Sequence, residues 1–185
     1  MIDEIYDSYQ DKMEKTLIST KSELARIRTG KASPNLLDTV RVNYYGSTVP
    51  LKQVASINIP EVRLIVIQPW EKNLIAEIEK AILKADLGLN PMNDGTLIRI
   101  PIPSLSEERR KELVKVANKN CEQKRVAIRN LRRDANEELK EAEKEHLITE
   151  DEMHRGQKKI QDLTDDYIKK IDEVLEKKEK EILEQ

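Results

Sequence analysis

The chain has 185 residues and nearly balanced charge, 33 Lys or Arg against 35 Asp or Glu, so net charge alone selects no partner class. Charged residues make up 37 %, aromatics 3 %, and Phe is absent. A core must then come from Leu, Ile, Val and Ala, as long helices with narrow apolar seams provide.

The opening stretch "IDEIYDSYQDKMEK" has no apolar run of the kind found in secretion signals. No segment approaches the roughly 20 apolar residues of a membrane span, so a cytoplasmic chain that avoids membranes is expected. Ile2, Tyr6, Tyr9, Met13, Thr16, Thr20, Leu24 and Ile27 alternate by three and four, which predicts a first long helix.

All seven prolines lie between Pro34 and Pro103, and four of the five glycines fall in or just before that window. The flanks 1–29 and 104–185 contain no proline and a single glycine, Gly156. Such a composition shift marks a compact segment inserted into a helical protein. Within it, "DTVRVNYYGSTVPL" alternates and predicts a hairpin turning at Gly46-Ser47. "VRLIVIQPW" reads as a strand stopped at Pro69, "NLIAEIEKAILKAD" has helical spacing, and "TLIRIPIP" is a last strand. Asp94-Gly95 reads as a turn.

Two crossings join insert and flanks, "RTGKASP" (28–34) and "PIPSLS" (101–106). Gly30 tolerates backbone angles other residues avoid, and Pro101 and Pro103 stiffen the return. A paired crossing can act as a hinge, with Thr29, Gly30, Lys31, Pro101, Pro103 and Ser104 as its candidates; two ordinary rigid connections are the alternative.

Beyond the insert, Val114, Ala117, Cys121, Ile128, Leu131, Ala135 and Ala142 hold heptad register, interrupted by Lys124 and Glu138. Met153, Ile160, Leu163, Tyr167, Ile171 and Val174 do the same in a third segment. Between them Thr149 and Glu152 form a capping box, with Ile148 and Met153 at the hydrophobic-staple positions. The second helix (106–145) and the third (from Glu150) are therefore antiparallel neighbours. The expected fold class is α+β: a long three-helix coiled-coil-like bundle (1–30 and 105–185) with an inserted small α/β domain (31–104).

The second helix distributes its charge unevenly. Ten Lys or Arg stand against two Glu between 109 and 133, and nine acids against two Lys from 134 to 152. The helix macrodipole prefers the reverse order. With Cys121, Ile128 and Ala135 at heptad position a, Arg125, Arg129, Arg132 and Arg133 share one arc with Lys111, Lys115 and Lys119. Like charges at these spacings repel by roughly 0.2–0.5 kcal/mol per close pair. Arg125 has Glu122 within reach and Arg133 has Glu137, but Arg129 and Arg132 have no acid at i±3 or i±4. Either a neighbouring helix neutralises them, or the counterpart is a polyanion outside the chain. Arginine forks suit phosphate. With no aromatic residue in 71–166, a basic helix laid along structured RNA fits better than stacking on unpaired bases. A coiled-coil adaptor that docks proteins is the competing reading, though such a face should expose apolar anchors rather than arginine.

Catalytic signatures are missing. "ARIRTGKAS" lacks the Gly and the hydroxyl that a phosphate loop needs at 25 and 32, where Ala25 and Ala32 stand. His146 and His154 flank a helix break and do not imply a metal site. Cys121 sits at a core position and is a small buried hydrophobe. Neither catalysis, cofactor nor metal is expected.

The segments "RTGKASPNLLD" (28–38), "YYGSTVPL" (44–51), "DLGLNPMNDG" (86–95), "EERRKELVKVANKN" (107–120) and "RVAIRNLRRDANEELK" (125–140) together resemble the bacterial ribosome recycling factors. The resemblance runs in order over the whole chain. It departs at Lys31, where arginine is also familiar, and in the tail after Val174. It implies an L-shaped monomer whose inserted domain is a β/α/β sandwich. It further implies a factor that works with elongation factor G and GTP to split the post-termination 70S ribosome, releasing messenger RNA, without hydrolysing anything itself. The bundle would contact large-subunit ribosomal RNA. Arg132 and Arg129 would be the central contacts, supported by Arg125, Arg133, Arg28 and Lys31.

Overall fold

In the computed structural model, which describes residues 1–184, helix boundaries follow local signals closely. Thr149 accepts from the Glu152 amide while Glu152 accepts from the Thr149 amide, so both halves of the capping box are present. The helix before it ends in a second device. His146 takes φ +58; its amide donates to the Glu143 carbonyl at 2.9 Å and that of Leu147 to the Ala142 carbonyl at 2.9 Å. This is a Schellman stop with histidine where glycine is usual.

The chain divides into two units, Met1–Ile27 with the chain from Glu107 onward, and Arg28–Ser106. The first holds three long helices, α1 (Ile2–Ala25), α3 (Glu107–Lys144) and α4 (Glu150–Leu183). Their seam buries Tyr9, Met13, Leu24, Ala117, Cys121, Ile128, Ala135, Ile160, Leu163, Tyr167 and Ile171. The heptads predicted from sequence drift by one residue in places. Leu17 rather than Thr16, Leu113 rather than Val114, and Leu175 rather than Val174 take the buried positions. The Thr16 hydroxyl instead donates to the Lys12 carbonyl.

The two polar interruptions of the second heptad are partnered across the seam. Lys124 donates to Glu23 of α1 at 3.0 Å, and Glu138 accepts from the Tyr9 hydroxyl at 2.8 Å. Gly156 is buried in α4 at a point where an added Cβ would lie 3.0 Å from Leu139 Cδ2. Its missing side chain lets α4 approach α3.

The second unit contains a hairpin, β1 (Arg41–Tyr44) with β2 (Ser47–Pro50), and an antiparallel sheet in the order β3-β4-β6-β5. The sheet strands are β3 (Ala55–Glu61), β4 (Leu64–Pro69), β5 (Met92–Asn93) and β6 (Ile98–Pro101), and α2 spans Ile75–Lys84. Val42, Ile65, Ile67, Ile78, Ile98 and Ile100 meet in one core.

The hairpin turn is Tyr45-Gly46, one residue before the expected Gly46-Ser47, because Tyr44 pairs with Ser47 and both turn residues take positive φ. Strand β3 has no clean alternation in sequence. It is a sheet edge carrying Pro60, a residue that a central strand would not admit.

Residues near the crossings are tied into this second unit. The Ala32 amide donates to the Val62 carbonyl, Pro101 pairs with Leu64, and the Ile102 amide donates to the Arg63 carbonyl.

Candidate nucleic-acid interface

Helix α3 carries its cations in three different states, decided by what α4 and the helix itself place beside them. Arg125 is consumed internally. Its Nε donates to Asp172 at 2.8 Å, its Nη2 lies 2.6 Å from the same carboxylate, and its Nη1 donates to Glu122 at 3.0 Å. Its side chain is 18 % exposed. Burial alone would depress its pKa, but the two carboxylates hold it above the usual value. Arg129 has one long contact, Nη1 to Glu122 at 3.4 Å, two helical turns back. Bonds from Arg125 and then Arg129 keep the Glu122 carboxyl below its ordinary pKa.

Arg132 differs in kind. Its Nη1 donates to the amide oxygen of Gln161 at 3.1 Å, and the Gln161 amide nitrogen donates to Asp165 at 2.9 Å. A neutral acceptor fixes the guanidinium and leaves its charge uncancelled. Arg133 is exposed, and among the described residues no carboxylate lies within 4.0 Å of it or of Lys115 and Lys119. The expected option of Arg133 pairing with Glu137 is not taken. Lys111 pairs with Glu107 at 3.5 Å. A shallow groove of about 460 Å³ between α3 and α4 is lined by Arg125, Arg129, Ile168, Asp172 and Leu175.

In the second unit, Arg28 is exposed, with Nη1 3.8 Å from where a Cβ at Gly88 would sit. Lys31 and Thr29 are half-buried, and Gly30 is buried at φ +77. Pro103 and Ser104 are exposed outside any element.

The remaining candidates hold structural positions. Cys121 is fully buried, and burial pushes its thiol pKa up. His154 lies 3.6 Å from Glu150 on its own helix. Among the described residues no cluster of His, Cys, Asp and Glu could hold a metal ion. Asp94 accepts from the amides of Thr96 and Leu97 and from Arg99, and these bonds hold its carboxyl at about 2. No described helix is long and apolar enough to cross a membrane.

Sequence reasoning missed Gln161 and Asp172. Their signal is the antiparallel step itself: Asn118 meets Glu179, and seven residues on, Arg125 meets Asp172 seven residues back.

A family model described as ribosome recycling factor matches residues 20–183. The chain belongs to the ribosome recycling factor family. It is 55 % identical over 184 residues to the ribosome-recycling factors of Halothermothrix orenii and Bacillus subtilis, with all of this chain and all of each relative covered. A solution structure of the ribosome recycling factor matches at a TM-score of 0.80 and 43 % identity, covering 100 % of this chain and 98 % of that one. The models for the T. thermophilus ribosome recycling factor and the E. coli elongation factor G bound to the E. coli post-termination complex match at 0.66 and 46 % identity, with 99 % of both chains covered. The α+β class with a long helical bundle, expected from the residue pattern, agrees with these neighbours.

Proposed function

We propose that this chain recycles ribosomes: with elongation factor G and GTP it splits the post-termination complex and frees messenger RNA, itself hydrolysing nothing. The observation that carries this reading beyond family membership is Arg132, held on a rigid helix by an amide that leaves its charge available. Arg129, Arg133, Lys115 and Lys119 extend the cationic surface along the same helix, and large-subunit ribosomal RNA is the polyanion it serves. In this reading residues 1–30 and 105–185 anchor on RNA, and the inserted domain 31–104 transmits displacement through Thr29, Gly30, Lys31, Pro101, Pro103 and Ser104. Arg28 and Lys31 add phosphate contacts. The site of action is the cytoplasm, and the working form is a monomer without cofactor.

The test is light scattering of post-termination ribosomes with the purified chain. Splitting is expected only when elongation factor G and GTP are both present. Splitting by elongation factor G and GTP at the same rate without the chain would overturn the assignment.

A further inference from the structure

The chain has six aromatic side chains, five Tyr and one Trp. Tyr6, Tyr9 and Tyr167 pack in the helical seam, whereas Tyr45 is 73 % exposed and Trp70 67 % exposed in the second unit. Tyr45 is moreover the first residue of the β1–β2 turn, at φ +48. That backbone region suits Gly, Asn or Asp and disfavours a bulky side chain. Neither the exposure nor the strain itself favours the fold, and strained residues held in place are a mark of function.

The surroundings give that function its chemistry. The Tyr44 hydroxyl donates to Glu71 Oε1 at 3.4 Å and the Tyr45 hydroxyl to Glu71 Oε2 at 3.2 Å. The two rings meet edge to face with centroids 4.6 Å apart at 75°. Both bonds are long, and each carboxylate oxygen keeps a lone pair free. Among the described residues no cation lies within 4.0 Å of Glu71. Its charge raises the pKa of Tyr44, with burial adding to the effect. A carboxylate framed by two phenol rings attracts a planar cation, which can bond the oxygens and stack on a ring at once. It repels phosphate.

We propose that Tyr44, Tyr45 and Glu71 form a docking cage for an arginine side chain presented by a protein partner. The cage is independent of the cationic surface of α3, so each can fail without the other.

Trp70, the single tryptophan, immediately precedes Glu71 and serves as a built-in reporter. The full chain is titrated with acetyl-Gly-Arg-Gly-amide, with the same peptide carrying citrulline, and with oligouridylate, all at matched ionic strength. Trp70 emission and tyrosine ring chemical shifts are followed. The arginine peptide should give a saturable response, weakened about fivefold by citrulline or by Glu71→Gln, the worth of one exposed charge pair. Tyr45→Asn should abolish the response while melting no lower than the parent, because Asn-Gly suits this turn. Equal responses to arginine and citrulline, a response to oligouridylate instead, no response at all, or a destabilised Tyr45→Asn would each overturn the proposal.

Discussion

Arg125 and Arg132 lie seven residues apart on one helix, and the structure assigns them opposite energetic roles. In Arg132→Ala the protein loses a single hydrogen bond to a neutral amide, worth about 1 kcal/mol. Relief of repulsion from Arg129 at i−3 returns roughly 0.2–0.5 kcal/mol, so the melting temperature should fall by no more than about 3 °C. Lost charge-assisted contacts to phosphate should weaken large-subunit binding by about 10–100-fold, and the log–log salt slope should flatten by about one. In Arg125→Ala, two carboxylates lose their mostly buried partner. That costs about 2 kcal/mol and lowers the melting temperature by roughly 4–8 °C, with a smaller effect on binding. Gln161→Glu sharpens the comparison, since it cancels the Arg132 charge without removing that side chain; binding should fall, while the new ion pair offsets the lost bond and added repulsion at Asp165 and the melting temperature holds within about 3 °C. The assay pairs thermal melts with sedimentation against large ribosomal subunits over a salt series. Equal losses of affinity and slope in Arg125→Ala and Arg132→Ala, both with unchanged melts, would refute the division of roles.

Three further outcomes test the frame that holds this surface. Gly156→Val should lower the melting temperature by roughly 5 °C, because its added carbons meet the fully buried Leu139, and Leu139→Ala in the same chain should recover part of the loss. His146→Gly should raise it by about 1–3 °C by relieving the left-handed residue at the α3 stop, read by calorimetry. Asp94 has a folded pKa of about 2, depressed by the Leu97 amide, Arg99 and the Thr96 amide, so its stabilisation is present above its ordinary value and lost as pH falls through 2. The melting difference between parent and Asp94→Asn should therefore be constant above pH 5 and shrink between pH 4 and 2; a difference unchanged down to pH 2 would refute the assignment.

The helices were legible because they announce themselves twice, through periodicity and through terminal chemistry such as Thr149 and Glu152. The seam positions were less so: Thr16 and Leu17, or Val174 and Leu175, are adjacent and similar in period, and only packing against two other helices decides between them. Strand β3 escaped because an edge strand with one face solvated and Pro60 inside it lacks alternation. The turn at Tyr45-Gly46 escaped because tyrosine is the wrong residue for it. Of the candidate interface, the cations themselves could be read from the sequence, while their availability could not, since that depends on which side chain of α4 arrives opposite each one.

That dependence has a simple form along α3. The antiparallel step that brings Asp172 to Arg125 would, seven residues further, bring Asp165 to Arg132. Gln161 stands between them, accepting from Arg132 and donating to Asp165. One amide thus separates an arginine whose charge is spent on the fold from one whose charge remains for a partner. Lys124, at an interrupting heptad position, is likewise spent on Glu23. The acidic last third of α3 follows the same rule in reverse, with Glu138 turned inward to Tyr9. Charge order that opposes the helix dipole is tolerated because packing gives the seam-facing charges partners, carboxylates for Arg125 and Lys124 and a phenol for Glu138. What it leaves over on the outer arc between 115 and 133 is positive.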